Sequence, residues 1–359
     1  MARSMTTAAA RRRLAWLAPV AVAGLIVAGA AIESSGASAP PQLPAATPAQ
    51  LVAAARMAPD TAFSGKITET ADLGLPDLPG DAQDASLSWQ SFLSGSHSVR
   101  VWTDGPAKQR LAVIGELSEA DIVHNGRNLW TYTSDTNTVS HTVLPAGARS
   151  TGLPSECGPL HTPQQVAAQM LKAIAPSTSV TLGPNTTVAG RSAYTLDIAP
   201  RDTRSTIREI TIAIDSVHSV PLQVEVYGAS STPALKIGFT EVSFGSPAAS
   251  TFAFRVPAGA TVSKNPFAGN GVERPPAVPH LPAARPRVIG SHWTSVLELH
   301  HADALGGGLL QQFTTPVGAS GMRLLHTALI NAVVLPDGRA FIGALKPAAL
   351  EHVATTTAG

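Results

Sequence analysis

The stretch Ile210-Thr211-Ile212-Ala213-Ile214-Asp215-Ser216-Val217-His218-Ser219-Val220-Pro221-Leu222-Gln223-Val224-Glu225-Val226 decides the fold class. Ile210, Ile212 and Ile214 alternate with Thr211 and Ala213. Leu222, Val224 and Val226 alternate with Gln223 and Glu225. In a strand successive side chains point to opposite faces. Strict alternation therefore gives each strand one apolar and one polar face, which suits an antiparallel sheet over a single core. A parallel α/β sheet, buried on both sides, would read as continuous apolar runs.

The same period extends outward in both directions. Towards the C-terminus, Leu235, Ile237 and Phe239 repeat it, and so do Phe252, Phe254 and Val256. Towards the N-terminus, Tyr194, Leu196 and Ile198 do the same. Earlier still, Phe63, Gly65, Ile67, Ala71 and Leu73 alternate with polar residues. Further strands are expected at residues 87–93, 99–102, 109–114, 121–124, 129–133 and 139–144. Asn125-Gly126 is a strong hairpin signal, and Asp135-Thr136-Asn137 marks another tip. Two short helices interrupt the strands. Thr47-Pro48-Ala49-Gln50 opens one that reaches Met57. Thr162 and Pro163, with Gln165 in the capping-box position, open another carrying Val166, Met170, Leu171 and Ile174 on one stripe. Pro176 stops it.

The ends of the chain differ from this middle. Arg3, Arg11, Arg12 and Arg13 precede an uncharged run over residues 14–32. This is the basic and apolar pattern of an export signal. At 1.5 Å per residue the run reaches about 28 Å, near the roughly 30 Å hydrocarbon core of a bilayer. Ala37-Ser38-Ala39 resembles a cleavage site, but Pro40 at the scissile position weighs against cutting there. Ser35-Gly36-Ala37 is an alternative. Residues 1–39 are thus a signal peptide or an uncleaved signal anchor contacting the cytoplasmic membrane through residues 14–32. Residues 40–46 form a spacer, and residues 47–262 hold the main domain. A Pro-rich linker follows over 263–287. A small C-terminal α+β module over 288–359 carries strands around 293–299 and 309–313. It continues with a hairpin about Pro336-Asp337-Gly338 and a last helix from Pro347 to about Val353.

Composition narrows the function. With 44% hydrophobic and only 14% charged residues, the chain has the material for buried cores rather than disorder. The net charge is +1 from 25 basic and 24 acidic residues, with no basic stripe, so nucleic acid is excluded as a partner. Arginine exceeds lysine and alanine is abundant, which points to a GC-rich bacterial genome. Cys157 is the single cysteine, in the turn-like Ser155-Glu156-Cys157-Gly158-Pro159, so no internal disulfide forms. There is no HExxH or Cys-rich metal spacing, no G-x-S-x-G elbow and no S-x-x-K pair. Gly306-Gly307-Gly308 lacks the Lys and Ser/Thr of a phosphate loop. His292, Glu298, His300 and His301 are the densest group of possible ligands, and they read as solvated surface histidines beside a carboxylate. The chain reads as a binding protein with no catalytic residue, no metal and no cofactor.

Three stretches carry a family resemblance: Phe63-Ser64-Gly65-Lys66-Ile67, Val188-Ala189-Gly190-Arg191-Ser192-Ala193-Tyr194-Thr195-Leu196, and the hairpin Ile212-Ala213-Ile214-Asp215 to Val220-Pro221-Leu222 with the closing Phe252-Ala253-Phe254-Arg255-Val256-Pro257. Over residues 47–262 the chain resembles the periplasmic lipoprotein carriers (LolA-like) and the related sigma-factor regulators (RseB-like). It looks most like an actinobacterial branch of that superfamily. The resemblance implies an unclosed antiparallel β-barrel with helices in the concavity. It also implies a concave apolar face that holds a lipid, an acyl chain or an acylated protein. Trp89, Phe92, Trp102, Trp130, Tyr132, Phe239, Phe252 and Phe254, together with Phe244, are the candidate lining residues. The expected function is an extracytoplasmic, membrane-associated binder of such a ligand. The alternative is an envelope-stress regulator of RseB type, acting through a membrane-protein partner.

Overall fold

The computed structural model describes residues 40–58, 61–75, 94–114, 119–144, 162–172, 176–263, 286–300, 313–318 and 321–358. The expected strand at 87–93, most of the one at 309–313, the run 14–32, most of the linker, Cys157 and His301 lie outside them.

The first helix, α1 (Pro48–Arg56), starts as its residues dictate. Thr47 and Gln50 exchange side-chain and backbone hydrogen bonds in a full capping box, with Pro48 at the first helical position. The second, α2 (Pro163–Lys172), repeats the device: the Thr162 N–H donates to Gln165 Oε1 at 2.9 Å and the Gln165 N–H to Thr162 Oγ1 at 3.3 Å. The Arg56 guanidinium donates to the carbonyl of Leu171, which places a cation at the C-terminal end of α2.

The strands form a large sheet. In chain order they are β1 (Phe63–Asp72), β2 (Ser94–Thr103), β3 (Lys108–Ile114), β4 (Glu119–Asn125), β5 (Asn128–Thr133), β6 (Thr138–Val143), β7 (Thr178–Leu182), β8 (Thr186–Val188), β9 (Arg191–Pro200), β10 (Glu209–Asp215), β11 (Pro221–Tyr227), β12 (Leu235–Phe244) and β13 (Thr261–Ser263). They are ordered β13-β6-β5-β4-β3-β2-β1-β12-β11-β10-β9-β7, with β8 on β9. All pairs are antiparallel except β13 on β6. No described strand joins β13 to β7, so the sheet is an unclosed barrel with α1 and α2 in its concavity. Asn125-Gly126 turns β4 into β5, with Gly126 at φ 62°, where a Cβ would be strained. The core of the sheet and helices includes Leu196, Ile198, Ile210, Ile212, Val224, Ile237, Val166 and Leu171. α2 lies on β11 and β12, and α1 lies on α2 and β7.

One expected strand is corrected. Residues 252–256 alternate, yet Ala249–Phe252 is a short 3-10 helix and residues 253–256 pair with no strand. The reason is that β12 is already hydrogen-bonded on both sides, to β1 and β11. The following chain has no free edge there. It crosses the outer face of β3–β5 as a strap and reaches an edge only at β13, beside β6.

A second sheet of six strands follows, ordered β14-β15-β19-β18-β17-β16: β14 (Arg287–Ile289), β15 (Val296–Leu299), β16 (Thr315–Val317), β17 (Met322–Leu325), β18 (Asn331–Val334) and β19 (Ala340–Gly343). The Pro336-Asp337-Gly338 hairpin forms as expected. Asp337 Oδ1 accepts from the Arg339 N–H at 3.0 Å. Trp293 does not begin β15; it sits in a 3-10 turn, His292–Thr294. The last helix, α3 (Pro347–Ala358), closes a core of Val296, Val333, Phe341, Leu345 and Leu350. This sheet docks on the large one. The Thr206 N–H donates to the Ala344 carbonyl, the Lys346 N–H to that of Arg204 and the Ala328 N–H to that of Leu73, all within 3.0 Å. Trp293 Nε1 donates to Thr178 Oγ1 at 2.8 Å. A Cβ at Gly228 would collide with the Ala328 carbonyl, so that position requires glycine.

Candidate functional site

Directly paired residues share a face, so the register maps the inner wall of β1–β6. Three rows cross the strands. One runs Ile67–Val99–Val113–Ala120–Thr133–Thr138, and the next Gly65–Val101–Leu111–Ile122–Thr131–Ser140. The third runs Phe63–Thr103–Gln109–His124–Leu129–Thr142. Val99, Val101, Leu111, Val113, Ala120 and Ile122 are all buried, and they form an apolar patch across β2, β3 and β4. Gly65 leaves a gap in its row that the ring of Phe239 fills from β12. A Cβ there would lie 2.8 Å from that ring.

The patch has a polar frame. On its β5–β6 side are Thr131, Thr133 and Ser140, all buried. At one end stands His124, which is fully buried. Its Nε2 donates to the Gly126 carbonyl at 2.8 Å, and its Nδ1 has no hydrogen-bond partner. Gln109 Oε1, directly across the ladder, and Thr131 Oγ1, one row along, are also buried without partners. Buried polar atoms normally find partners, and leaving one unsatisfied costs about 1–3 kcal/mol. Three such atoms lie together on this wall. At the other end, Glu69 stands opposite His97 on β2 and Ile237 on β12. Burial pushes its carboxyl up to about 7.

The candidate aromatic residues divide between the two faces. Phe239 belongs to the inner core, beside Phe63 at 5.5 Å, and Phe244 lies 6.4 Å from Phe63. Trp102, Trp130 and Tyr132 are on the outer face, because each pairs with residues of opposite parity to Val101, Leu129 and Thr131. Phe252 and Phe254 join them from the strap. Trp130 is stacked between His141 at 3.8 Å and Phe254 at 5.1 Å. Arg110 donates twice to Asp121, at 3.0 and 2.8 Å, and once to the Thr251 carbonyl at 3.2 Å. Asn125 Nδ2 donates to the Phe252 carbonyl. Arg110, Asn125 and Trp130 hold the strap from the outer face. Burial raises the Asp121 carboxyl, an effect the bonds from Arg110 only partly offset. Trp89 and Phe92 lie outside the described residues.

Two further polar clusters are structural. Asp215 is fully buried at the β10–β11 turn. Burial would raise its carboxyl, but bonds from Arg191, from His218 and from the Val217 N–H carry it below the ordinary carboxylate value. His218 stacks on Phe244 at 3.8 Å. In the second sheet, Glu298 is buried with Arg339 at 3.5 Å and with Arg287 and His300 at 3.9 Å. Two guanidiniums and an imidazole therefore surround the carboxylate that stood nearest to a metal-ligand pattern, and His292 lies off the strand. Among the described residues no group of three metal-ligating side chains converges, and no helix is long and apolar enough to cross a membrane.

No protein-family model matches the chain, and no curated protein does. Solved structures do. The MucA/MucB complex of Pseudomonas aeruginosa is similar at 15% identity over 86% of this chain and 96% of that one, with a TM-score of 0.45. A conserved protein of Thermus thermophilus is similar at 10% identity over 60% and 97%, with a TM-score of 0.34. A LolA superfamily protein of Nitrosomonas europaea is similar at 12% identity over 58% and 99%, with a TM-score of 0.23. A MucB and a LolA superfamily protein are thus both among the structural neighbours. All three TM-scores lie below 0.5.

Proposed function

We propose that this protein is exported and binds an amphiphile, a lipid or an acylated protein, on the inner wall of its half-barrel. The observation that carries the reading is the apolar patch of β2–β4 with its polar frame. Val99, Val101, Leu111, Val113 and Ile122 are buried in this structure, and they would pack a hydrocarbon tail once what covers them moves aside. The orphaned atoms of His124, Gln109 and Thr131 offer acceptors for a hydroxyl or amide head. Burial of each CH₂ is worth about 0.8 kcal/mol, so a 16-carbon chain gains on the order of 10 kcal/mol before ordering costs. α2 packs on β11 and β12, and its core is continuous with the patch. The basic and apolar N-terminal pattern supports export, with the chain tethered to the cytoplasmic membrane or released. The face supplies packing and hydrogen bonds, which suits a binder.

Native mass spectrometry of the full chain from a bacterial envelope tests this. A stoichiometric lipid that survives washing is expected. Val101→Phe, which fills the wall while keeping it apolar, should lower uptake of a fluorescent palmitate by at least tenfold. A clean apo mass with no uptake would overturn the reading in favour of a protein partner.

A further inference from the structure

The outer face of β1, β2 and β12 carries a polar hollow, apart from the inner wall. Two rows cross these strands side by side. One is Trp102–Ser64–Ser243 and the other is Arg100–Lys66–Glu241. The β1–β12 register then shifts between Lys66 and Ile67, where Thr240 is the extra residue. Bulges of this kind bend the strand and re-aim side chains. Thr240 Oγ1 donates to the Lys66 carbonyl at 3.3 Å and fixes the bend. A hollow of about 220 Å³ opens here, lined by Ser64, Lys66, Arg100, Trp102, Glu241 and Ser243. That is below the roughly 300 Å³ at which pockets for drug-sized ligands begin, so it suits one ring and no more.

The lining is chemically incomplete. Lys66 faces both Arg100 and Glu241 across the ladder, yet neither cation forms an ion pair with a described residue. Arg100 and Glu241 are exposed, free to turn to a ligand. The indole of Trp102 is the rigid part. Arg110 lies 5.6 Å from its centroid on the β3 side, and Arg110 is itself fixed by Asp121 and the Thr251 carbonyl. The indole is therefore held on one side and borders the hollow on the other.

Each group states what it would accept. Arg100 and Lys66 only donate, and they pair with an anion. Glu241 only accepts, and it wants O–H donors. Ser64 and Ser243 do both. The indole takes a flat face of C–H bonds. We propose that this hollow binds an acidic monosaccharide unit, a pyranose carrying a carboxylate, with the carboxylate on Arg100 and Lys66, ring hydroxyls on Glu241 and the serines, and the C–H face on Trp102. A neutral sugar leaves both cations unpaired. A small inorganic anion leaves the indole and Glu241 unused.

The test uses the full chain and glucuronate, with glucose and inorganic phosphate as comparisons, read by saturation-transfer NMR and calorimetry. Glucuronate is expected to bind with its ring C–H protons saturated. Glucose and phosphate should each bind at least tenfold more weakly, and the glucuronate affinity should fall with added salt. Lys66→Gln with Arg100→Gln should reduce glucuronate binding at least tenfold with an unchanged melting temperature. Trp102→Phe, which keeps a ring in place, should weaken it less. Equal binding of glucuronate and glucose, equal binding of phosphate, no binding of glucuronate, or an unchanged affinity in the double variant would each overturn the assignment.

Discussion

Ile122 and Val123 are neighbours on β4, both almost inaccessible to water, and they serve opposite faces of one sheet. Ile122 joins the continuous core that runs from α1 and α2 through the inner wall. Val123 pairs with Trp130 beneath the strap, outside that core. The inner face is bound by apolar area, which is non-directional and shared among many residues. The outer face is bound by a few directed contacts: the Arg110–Asp121 pair, the Thr251 and Phe252 carbonyls and the His141–Trp130–Phe254 stack. Equal burial therefore does not mean equal consequence. Loss of an inner residue is a loss for the whole half-barrel, whereas loss of an outer one frees a segment.

The largest effect should come from Ile122→Ala, which removes buried volume from the shared core. A cost of roughly 2–5 kcal/mol is expected in urea denaturation, in one cooperative transition. Arg110→Ala should cost about 2 kcal/mol by leaving Asp121 buried without its partner. Its signature is regional: hydrogen exchange should quicken over residues 249–256 and stay slow in α2. Equal quickening everywhere would erase the distinction between the faces. The smallest effect belongs to Glu69, whose folded carboxyl, near 7, lies above its ordinary 4.5. The protonated form is the one the fold favours. That contribution is complete below about pH 4.5 and is lost as pH rises through 7. Glu69→Gln cannot ionise, so it should gain about 1 kcal/mol over the parent at pH 8 and nothing at pH 4, after allowance for partial exposure. Thermal melts at the two pH values decide this.

The main strands were legible because one buried face forces period two, and the helices because Thr-Pro with a following Gln is a strong start signal. The strap was misread for a physical reason. Phe252 packs into the outer face and Phe254 onto Trp130, so an extended crossing segment shows the same alternation as a strand. β8, β14 and β16 have three residues each, too few to display a period. Residue type alone does not place the aromatic set, because the face is set by parity. Val99 and Val101 alternate with Arg100 and Trp102, so the pattern already placed Trp102 beside a cation rather than beside the aliphatic wall. Nothing in the local sequence marks the orphaned His124, Gln109 and Thr131, which only the cross-strand register brings together.

Among the described residues the open half-barrel has two raw edges, and each is an invitation to a second copy. β7 offers only the five residues Thr178–Leu182, with Pro176 before it and Pro184 after it. β13 offers three, with Pro257 shortly before. Proline lacks the N–H that a growing ladder needs. Among the described residues both terminal strands of the sheet are thus short and interrupted, which disfavours edge-to-edge growth and helps the concavity stay open at high local concentration.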